Sequence, residues 1–395
     1  MMDNNDSIQE TSIREIFGEV PKRTPMKPKE FKAWHRPRKQ FIRKHQWNKY
    51  IAKLIPMLLL SERPLKYLTL PGADFLDIRC AHEVCMENKI MLKYLGFTIE
   101  DGSDKDEADI ISSEIRQLPN IHKDSLVMID DLRKVADTKS KAYSVANSYG
   151  PFDVINLDLC CSIATRQNYS PTYFDSIATL LNLQMLRRTE PWILFLTTLS
   201  GPKEVNEQDM SKIWDSISKN LKTHDDFKNE LTNLFGHEFS GFETYGEVHD
   251  NLGARQFIKL FNIGIGKWIL QYMMSESPKC TVEMLSVYCY RTGSYAVPTM
   301  LSIVFQFNPI IQPRTDKAHL VNPAFELKPK TIEENELVNK LITSVKSLED
   351  LDIIMQSDMT LFDRMKEESK SLLSITRYPV AEYDLWVKNN SPNVR

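Results

Sequence analysis

The chain has 395 residues, 42% of them hydrophobic and 26% charged, enough to bury one large core or two modest ones. Its longest apolar runs, 55–60 and 192–196, fall far short of the roughly 20 residues that span a bilayer. The net charge of −3 hides an asymmetry: twelve Lys or Arg between Pro21 and Lys53 face Glu30 alone, a local +11 that leaves −14 elsewhere. The opening MMDNNDSIQETS lacks the basic start and apolar core of a secretory signal. The six cysteines show no CxxC spacing, so the expectation is a cytoplasmic protein with reduced thiols and no structural zinc. With 13 glycines, against a usual share of about 7%, any nucleotide-cradling loop must work with few.

Residues 1–20 read as a tail with one short helix around Ile13–Phe17, and Pro21, Pro25, Pro28 and Pro37 keep the next stretch extended. From Arg38 to Leu60, the positions Phe41, Ile42, Trp47, Tyr50, Ile51, Leu54 and Leu58 recur at helical spacing with basic residues between them. One reading of this basic amphipathic helix is a nucleic-acid face. Arg36, Arg38, Lys39, Arg43 and Lys44 then meet phosphates, and a base stacks on Trp34 or Trp47. The other reading docks the helix on the chain's own acidic body or on a partner protein, with its aromatics in a core. A membrane surface is the third, set aside in favour of nucleic acid and protein partners.

Further on, LKYLTLPG gives a first strand over Tyr67–Leu70, and residues 79–95 read as a helix stopped by Gly96. FTIED is a second strand ending in Glu100 and Asp101. SLVMIDD (125–131) is a third, ending in Asp130 and Asp131, and 134–148 is a polar helix. FDVINLD is a fourth strand whose apolar run stops at Asp158. Tyr173–Arg187 is a periodic helix with Ser170 as cap and Pro171 in first position, and PWILFLTTLSGP is a fifth strand. Residues 203–275 are mostly helical; Val282–Tyr290 and Met300–Phe307 form an antiparallel pair at a sheet edge. After a linker-like stretch to Pro329, Leu337, Leu341, Val345, Leu348, Leu351 and Met355 mark a C-terminal helical arm. Strand–helix alternation predicts an α/β fold: a doubly wound, mostly parallel sheet with an antiparallel edge pair. The expected division is a basic tail and helix (1–62), the sheet domain (63–310, with a helical insertion about 203–275) and a linker with the C-terminal helical arm (311–395).

A β-branched run ending on a carboxylate delivers Asp158 to the C-terminal edge of a buried strand, where open α/β sheets bind ligands. Five parallel strands, a helical segment and an antiparallel pair resemble the class I S-adenosylmethionine-dependent methyltransferases over about residues 63–310. That resemblance implies S-adenosylmethionine as cofactor. Its methionine half would lie over LPGADFLDIR, with Gly72, Asp74 and Asp77 as candidates, although Gly72 is all that remains of the family's glycines. Glu100 or Asp101 matches the ribose-binding acid, and Asp130 or Asp131 the acid near the adenine amino group. Asp158 lies in the motif that positions the target atom. LDLCCS is also similar to the LDAPCS-like motif of RNA cytosine-C5 methyltransferases, which makes Cys161 a candidate nucleophile. Those enzymes, however, attack with a Thr-Cys after the fifth strand, where this chain has Thr197-Thr198-Leu199; the plainer reading is two small residues filling space. Segments such as AWHRPRKQFIRKHQW, LTLPG and LDLCCS also resemble a bacterial methyltransferase-like group found near anti-phage defence genes.

Two functions follow. One is methyl transfer, or S-adenosylmethionine binding, with nucleic acid as the large substrate. The other is an inactive scaffold subunit of a nucleic-acid or defence complex. NIGIGKW (262–268) lacks the upstream Gly and following Ser or Thr of a phosphate loop, and His224, His237 and His249 are too scattered for a metal set.

Overall fold

The apolar runs pair into one eight-stranded sheet. The computed structural model describes residues 29–99, 105–165, 167, 169–275, 279–292, 297–310, 318, 320 and 334–390. The strands are β1 (Leu65–Thr69), β2 (Leu92–Thr98), β3 (Leu126–Ile129), β4 (Val154–Asp158), β5 (Trp192–Leu199), β6 (Cys280–Tyr290), β7 (Met300–Pro309) and the two-residue β8 (Glu349–Asp350). Their order is β3-β2-β1-β4-β5-β7-β6-β8. β1 to β5 run parallel, β7 is antiparallel to both β5 and β6, and β8 joins β6 in parallel. The fold is therefore the expected doubly wound α/β sheet. Its order reverses between β1 and β4, which opens a crevice at their C-terminal ends.

Successive residues of the strands face opposite layers. Leu68, Leu95, Phe97, Ile155, Leu157, Leu194 and Leu196 belong to one core, and Leu65, Tyr67, Leu92, Tyr94, Val154, Ile193 and Phe195 to the other. The second core takes in the N-terminal helix and the C-terminal arm. That helix, α1, runs continuously through Pro37–Phe41, a π-helical Ile42–Asn48 and Lys49–Leu54. Ile42, Trp47, Ile51 and Leu54 are buried in it, with the Trp47 ring 6.2 Å from that of Phe195. Gln46 and Tyr50 lock α1 to the far side of the sheet, Nε2 donating to the Ser302 carbonyl (3.2 Å) and the Tyr50 hydroxyl to that of Leu285 (3.0 Å). The docking reading of this helix is what the structure shows.

The other helices are α2 (Leu76–Glu87), α3 (Lys105–Arg116), α4 (Lys141–Tyr149), α5 (Tyr173–Met185), α6 (Glu207–Thr223), α7 (Asp225–Phe235), α8 (Tyr245–Asn251), α9 (Ala254–Ser275), α10 (Glu334–Lys346), α11 (Leu351–Ser357), α12 (Met359–Ile375) and α13 (Tyr383–Asn390). None of the described helices is long and apolar enough to cross a membrane. The C-terminal segment closes over the N-terminal one: Phe31 packs on the rings of Tyr378, Tyr383 and Trp386, and the Tyr383 hydroxyl donates to the His35 carbonyl at 2.5 Å.

Three expectations change. The helix expected over 79–95 ends at Glu87, where Asn88 caps it and Lys89 turns the chain at φ 58°. Residues 92–96 are strand, because alternating faces of a buried strand look like helical spacing over so short a run. Gly96 is not a helix stop but a close approach: an added Cβ would lie 2.9 Å from Pro71 Cγ and 3.1 Å from Val127 Cγ2. The helix expected over 134–148 is a 3₁₀ turn, Leu132–Ala136, followed by α4. α5 is capped by Thr172, whose hydroxyl accepts from Asp175 N while the Asp175 carboxylate accepts from Thr172 N, so Ser170 and Pro171 precede the cap. The β6–β7 pair lies at the edge of the parallel sheet as expected, β7 joining it to β5 and β6 carrying only the two-residue β8 outside it. The helix expected around Ile13–Phe17 and most of the 309–329 linker lie outside the described residues.

Candidate functional site

A cavity of about 450 Å³ lies over the C-terminal ends of the first four strands. The β1–α2 turn contributes Gly72, Asp74 and Asp77; β2 ends at it with Thr98 and Ile99, β3 with Asp130 and Asp131, and β4 with Asp158 and Cys160. The N-terminal segment supplies the opposite wall with Trp34, Arg36, Arg38, Lys39 and Arg43. The acids Asp74 to Asp158, which the sequence separates by up to 84 positions, thus border one hollow. Glu100 and Asp101 lie outside the described residues.

The turn after β1 manages with one glycine. Nothing lies within 4 Å of where a Cβ of Gly72 would be, so open space adjoins its backbone. Phe75, just before α2, takes the left-handed conformation (φ 51°, ψ 35°) with its ring buried. A left-handed aromatic costs about 1–2 kcal/mol, which ring burial offsets.

Each acid has a distinct environment. Asp77, in the first turn of α2, is buried and accepts from the Thr69 hydroxyl. Burial, with the Asp158 charge in support, lifts its carboxyl above the ordinary range against the pull of Thr69. Asp74 accepts from Lys29 Nζ (2.8 Å) and from the Tyr378 hydroxyl (2.7 Å), with His35 Nε2 at 3.4 Å. Burial alone would raise it, yet these donors hold it at about 2. Burial keeps His35 below its usual value, so the neutral ring faces Asp74 while Nδ1 accepts from Lys32 N at 3.0 Å. Asp131 caps the 3₁₀ turn through Arg133 N (2.8 Å) and pairs with the Arg133 guanidinium. Asp130 uses Oδ1 for Asp131 N (2.9 Å) and Lys134 Nζ (2.7 Å). Asp158 Oδ1 receives Lys39 Nζ at 2.5 Å; that ammonium also lies 4.6 Å over the Trp47 ring, and burial lowers its pKa.

Two expectations are corrected by this geometry. Among the described residues, α1 does not present a nucleic-acid face. Arg38, Lys39 and Arg43 are buried, Arg38 pairs with Asp352, Lys39 with Asp158 and Lys44 with Glu83, and Trp47 is core. Arg36, Arg38, Lys39 and Arg43 face the cavity with Trp34, not an open surface. Cys161 is not among the cavity-lining residues, whereas Cys160 is, and burial raises both thiols although the Tyr173 contact pulls Cys161 back somewhat. An activated thiol has a lowered pKa, whereas the half-buried Cys161 lies off the cavity lining with a raised one. Sequence reading missed Tyr290 and Arg291 on the cavity wall and Asp352 and Tyr378 behind it. Asp352 bonds Arg38 across 314 positions of sequence, a distance at which no local pattern carries a signal.

A family model described as PP_RS20740-like matches residues 28–388. The chain belongs to the PP_RS20740-like family. The match takes in both the N-terminal wall of the cavity and the arm that closes over it. No curated protein matches the chain. Among solved structures, the chain is similar to the CMeT domain of the citrinin polyketide synthase (12% identity, TM-score 0.29, 40% of this chain and 34% of that one). It is similar also to a protein described as a class I S-adenosylmethionine-dependent methyltransferase from Listeria monocytogenes (8% identity, TM-score 0.33, 68% and 62%). A third is loganic acid methyltransferase with SAH (6% identity, TM-score 0.28, 71% and 99%). The chain thus spans about a third of the first of these and less than two thirds of the second.

Proposed function

We propose that the cavity at the β1/β4 switch point binds S-adenosylmethionine and that this member of the PP_RS20740-like family is a methyltransferase-like protein. The observation that carries the reading is the convergence of Asp77, Asp130, Asp131 and Asp158 on one hollow of about 450 Å³. That size falls within the roughly 300–1,000 Å³ of small-molecule sites. The residues fit an adenosyl ligand in two respects. Open space adjoins the Gly72 backbone, and Asp130 keeps Oδ2 unbonded among the described residues while Oδ1 is anchored. Gly72 and Asp77 would flank the aminoacyl half and Asp130 the adenine amino group. The bound cofactor would supply an electrophilic methyl group. Asp158, braced by Lys39, offers a fixed carboxylate that orients an N–H or O–H of the acceptor and can take its proton. An acceptor, nucleic acid included, would enter beside Trp34, which is 42% exposed, and not along the buried face of α1.

One observation favours the scaffold reading. Asp74, Asp77, Asp131 and Asp158 are each bonded within the chain already, and the turn under them has Phe75 strained into the left-handed region. Calorimetry on the full chain with S-adenosylmethionine and S-adenosylhomocysteine separates the two. One-to-one binding that Asp130→Ala weakens about tenfold, or ~1.4 kcal/mol, supports the cofactor site. No heat at millimolar ligand leaves only the scaffold.

A further inference from the structure

Arg43 stands apart from the other basic residues of α1. It is 4% exposed and lines the cavity. Its Nη2 donates to the Trp34 carbonyl at 3.0 Å, its Nε has no partner, and it forms no ion pair with any described carboxylate. Its neighbours on the helix avoid that condition: Arg38 has Asp352, Lys39 has Asp158 and Lys44 has Glu83. A desolvated guanidinium without a counter-ion is costly and is retained where something else supplies the charge. Arg36, on the same wall, also forms no ion pair with a described carboxylate, and its Nε and Nη1 are buried without hydrogen-bond partners among the described residues. Arg291 lines the cavity too, yet it shares Asp352 with Arg38. Arg43 and Arg36 are therefore the two cations of this lining that no described carboxylate approaches within ion-pair distance, Arg43 acting on Asp77 only at longer range.

We infer that Arg43 and Arg36 form an oxyanion subsite that receives the carboxylate or phosphate of a small acidic acceptor, bound beside the adenosyl group. The acceptor role rests on the cofactor reading above; the subsite itself does not. A polynucleotide backbone is met by an exposed row of cations, and here the unpaired guanidinium is sunk within a cavity wall. A fork of N–H donors suits a planar carboxylate or a phosphate approached end-on. The exposed Trp34, whose carbonyl holds Arg43, gives the body of such a molecule an aromatic surface.

The test titrates inorganic phosphate and acetate into the full chain by calorimetry, with and without saturating S-adenosylhomocysteine. Saturable anion binding that falls at least tenfold in Arg43→Gln and in Arg36→Gln supports the subsite, and the stronger of the two anions identifies its chemistry. Thermal melts of the anion-free proteins accompany it: Arg43→Gln melting at or above the parent temperature marks a residue kept for a ligand. Should Arg43→Gln not fold, Arg36→Gln carries the comparison alone. Anion binding unchanged in the variants overturns the inference. So does a variant that loses affinity for S-adenosylhomocysteine but not for 5′-methylthioadenosine, because the arginines then serve the cofactor's own carboxylate. Oligonucleotide binding tighter than phosphate and lost in the same variants overturns it in favour of a polynucleotide. Anion binding that persists where S-adenosylhomocysteine shows none supports the subsite and removes the cofactor reading alone.

Discussion

The two ends of the parallel sheet treat buried charge in opposite ways. At the N-terminal end, Asp153 is completely buried, gripped by both Nη atoms of Arg63 (2.8 and 2.9 Å), by Arg188 Nη2 (2.7 Å) and by Lys66 N (2.7 Å). At the C-terminal end, Arg43 is nearly as deep and, among the described residues, has the Trp34 carbonyl as its hydrogen-bond partner and no ion pair, next to open space. A buried charge surrounded by its own partners serves the fold, whereas one left unmatched beside a cavity is held for something that enters it.

The largest effect should come from breaking the satisfied end. Asp153→Ala leaves Arg63 and Arg188 to share Glu190 as their one described counter-ion and should cost about 3–5 kcal/mol, read as a lower urea midpoint with unchanged slope. A loss under 1 kcal/mol would erase the contrast between the two ends. Next is Asp74, where the folded pKa of about 2 lies below the ordinary 3.8. A depressed carboxylate contributes stability above its unfolded pKa and loses it as pH falls from about 4 through 2, a linkage of about 2 kcal/mol. Asp74→Asn should therefore destabilise at pH 7 and be neutral at pH 2; equal effects at both would show that the network with Lys29 and Tyr378 is not electrostatic.

A smaller effect follows at Gly96. Its alanine variant presses on Pro71 Cγ and Val127 Cγ2 and should cost about 1 kcal/mol, with S-adenosylhomocysteine affinity reduced as the Gly72 turn shifts. Undiminished affinity would detach the strand packing from the site. The smallest change is expected at Cys161→Ser. With its thiol beside Tyr173 and off the cavity, stability should stay within about 0.5 kcal/mol and ligand affinity should be unaltered. A collapse of affinity would return the cysteine to the chemistry.

Several parts of this architecture are legible in the residues alone. The stop of the VINL run at Asp158, the paired acids after β3 and the break at Gly72 each mark a strand end, since strand length and turn chemistry are local properties. The same locality misled at Ile90–Leu95, where a six-residue window satisfies helix and strand periods alike. It misled again at α1, whose basic stripe looks solvent-facing until Asp158, Glu83 and Asp352 are brought against it.

By itself, then, the order of apolar runs and turns determined the alternation of strands and helices, and with it the edge at which the acids emerge. Only the folded chain decided which charges are spent on one another and which is left over. Asp158 and Asp352 reach α1 from 119 and 314 residues away, and nothing within a helix's own length shows that Arg43 is passed by. Hydrophobic periodicity acts over a few residues, while pairing of buried charge is settled by whatever long-range packing puts within about 4 Å.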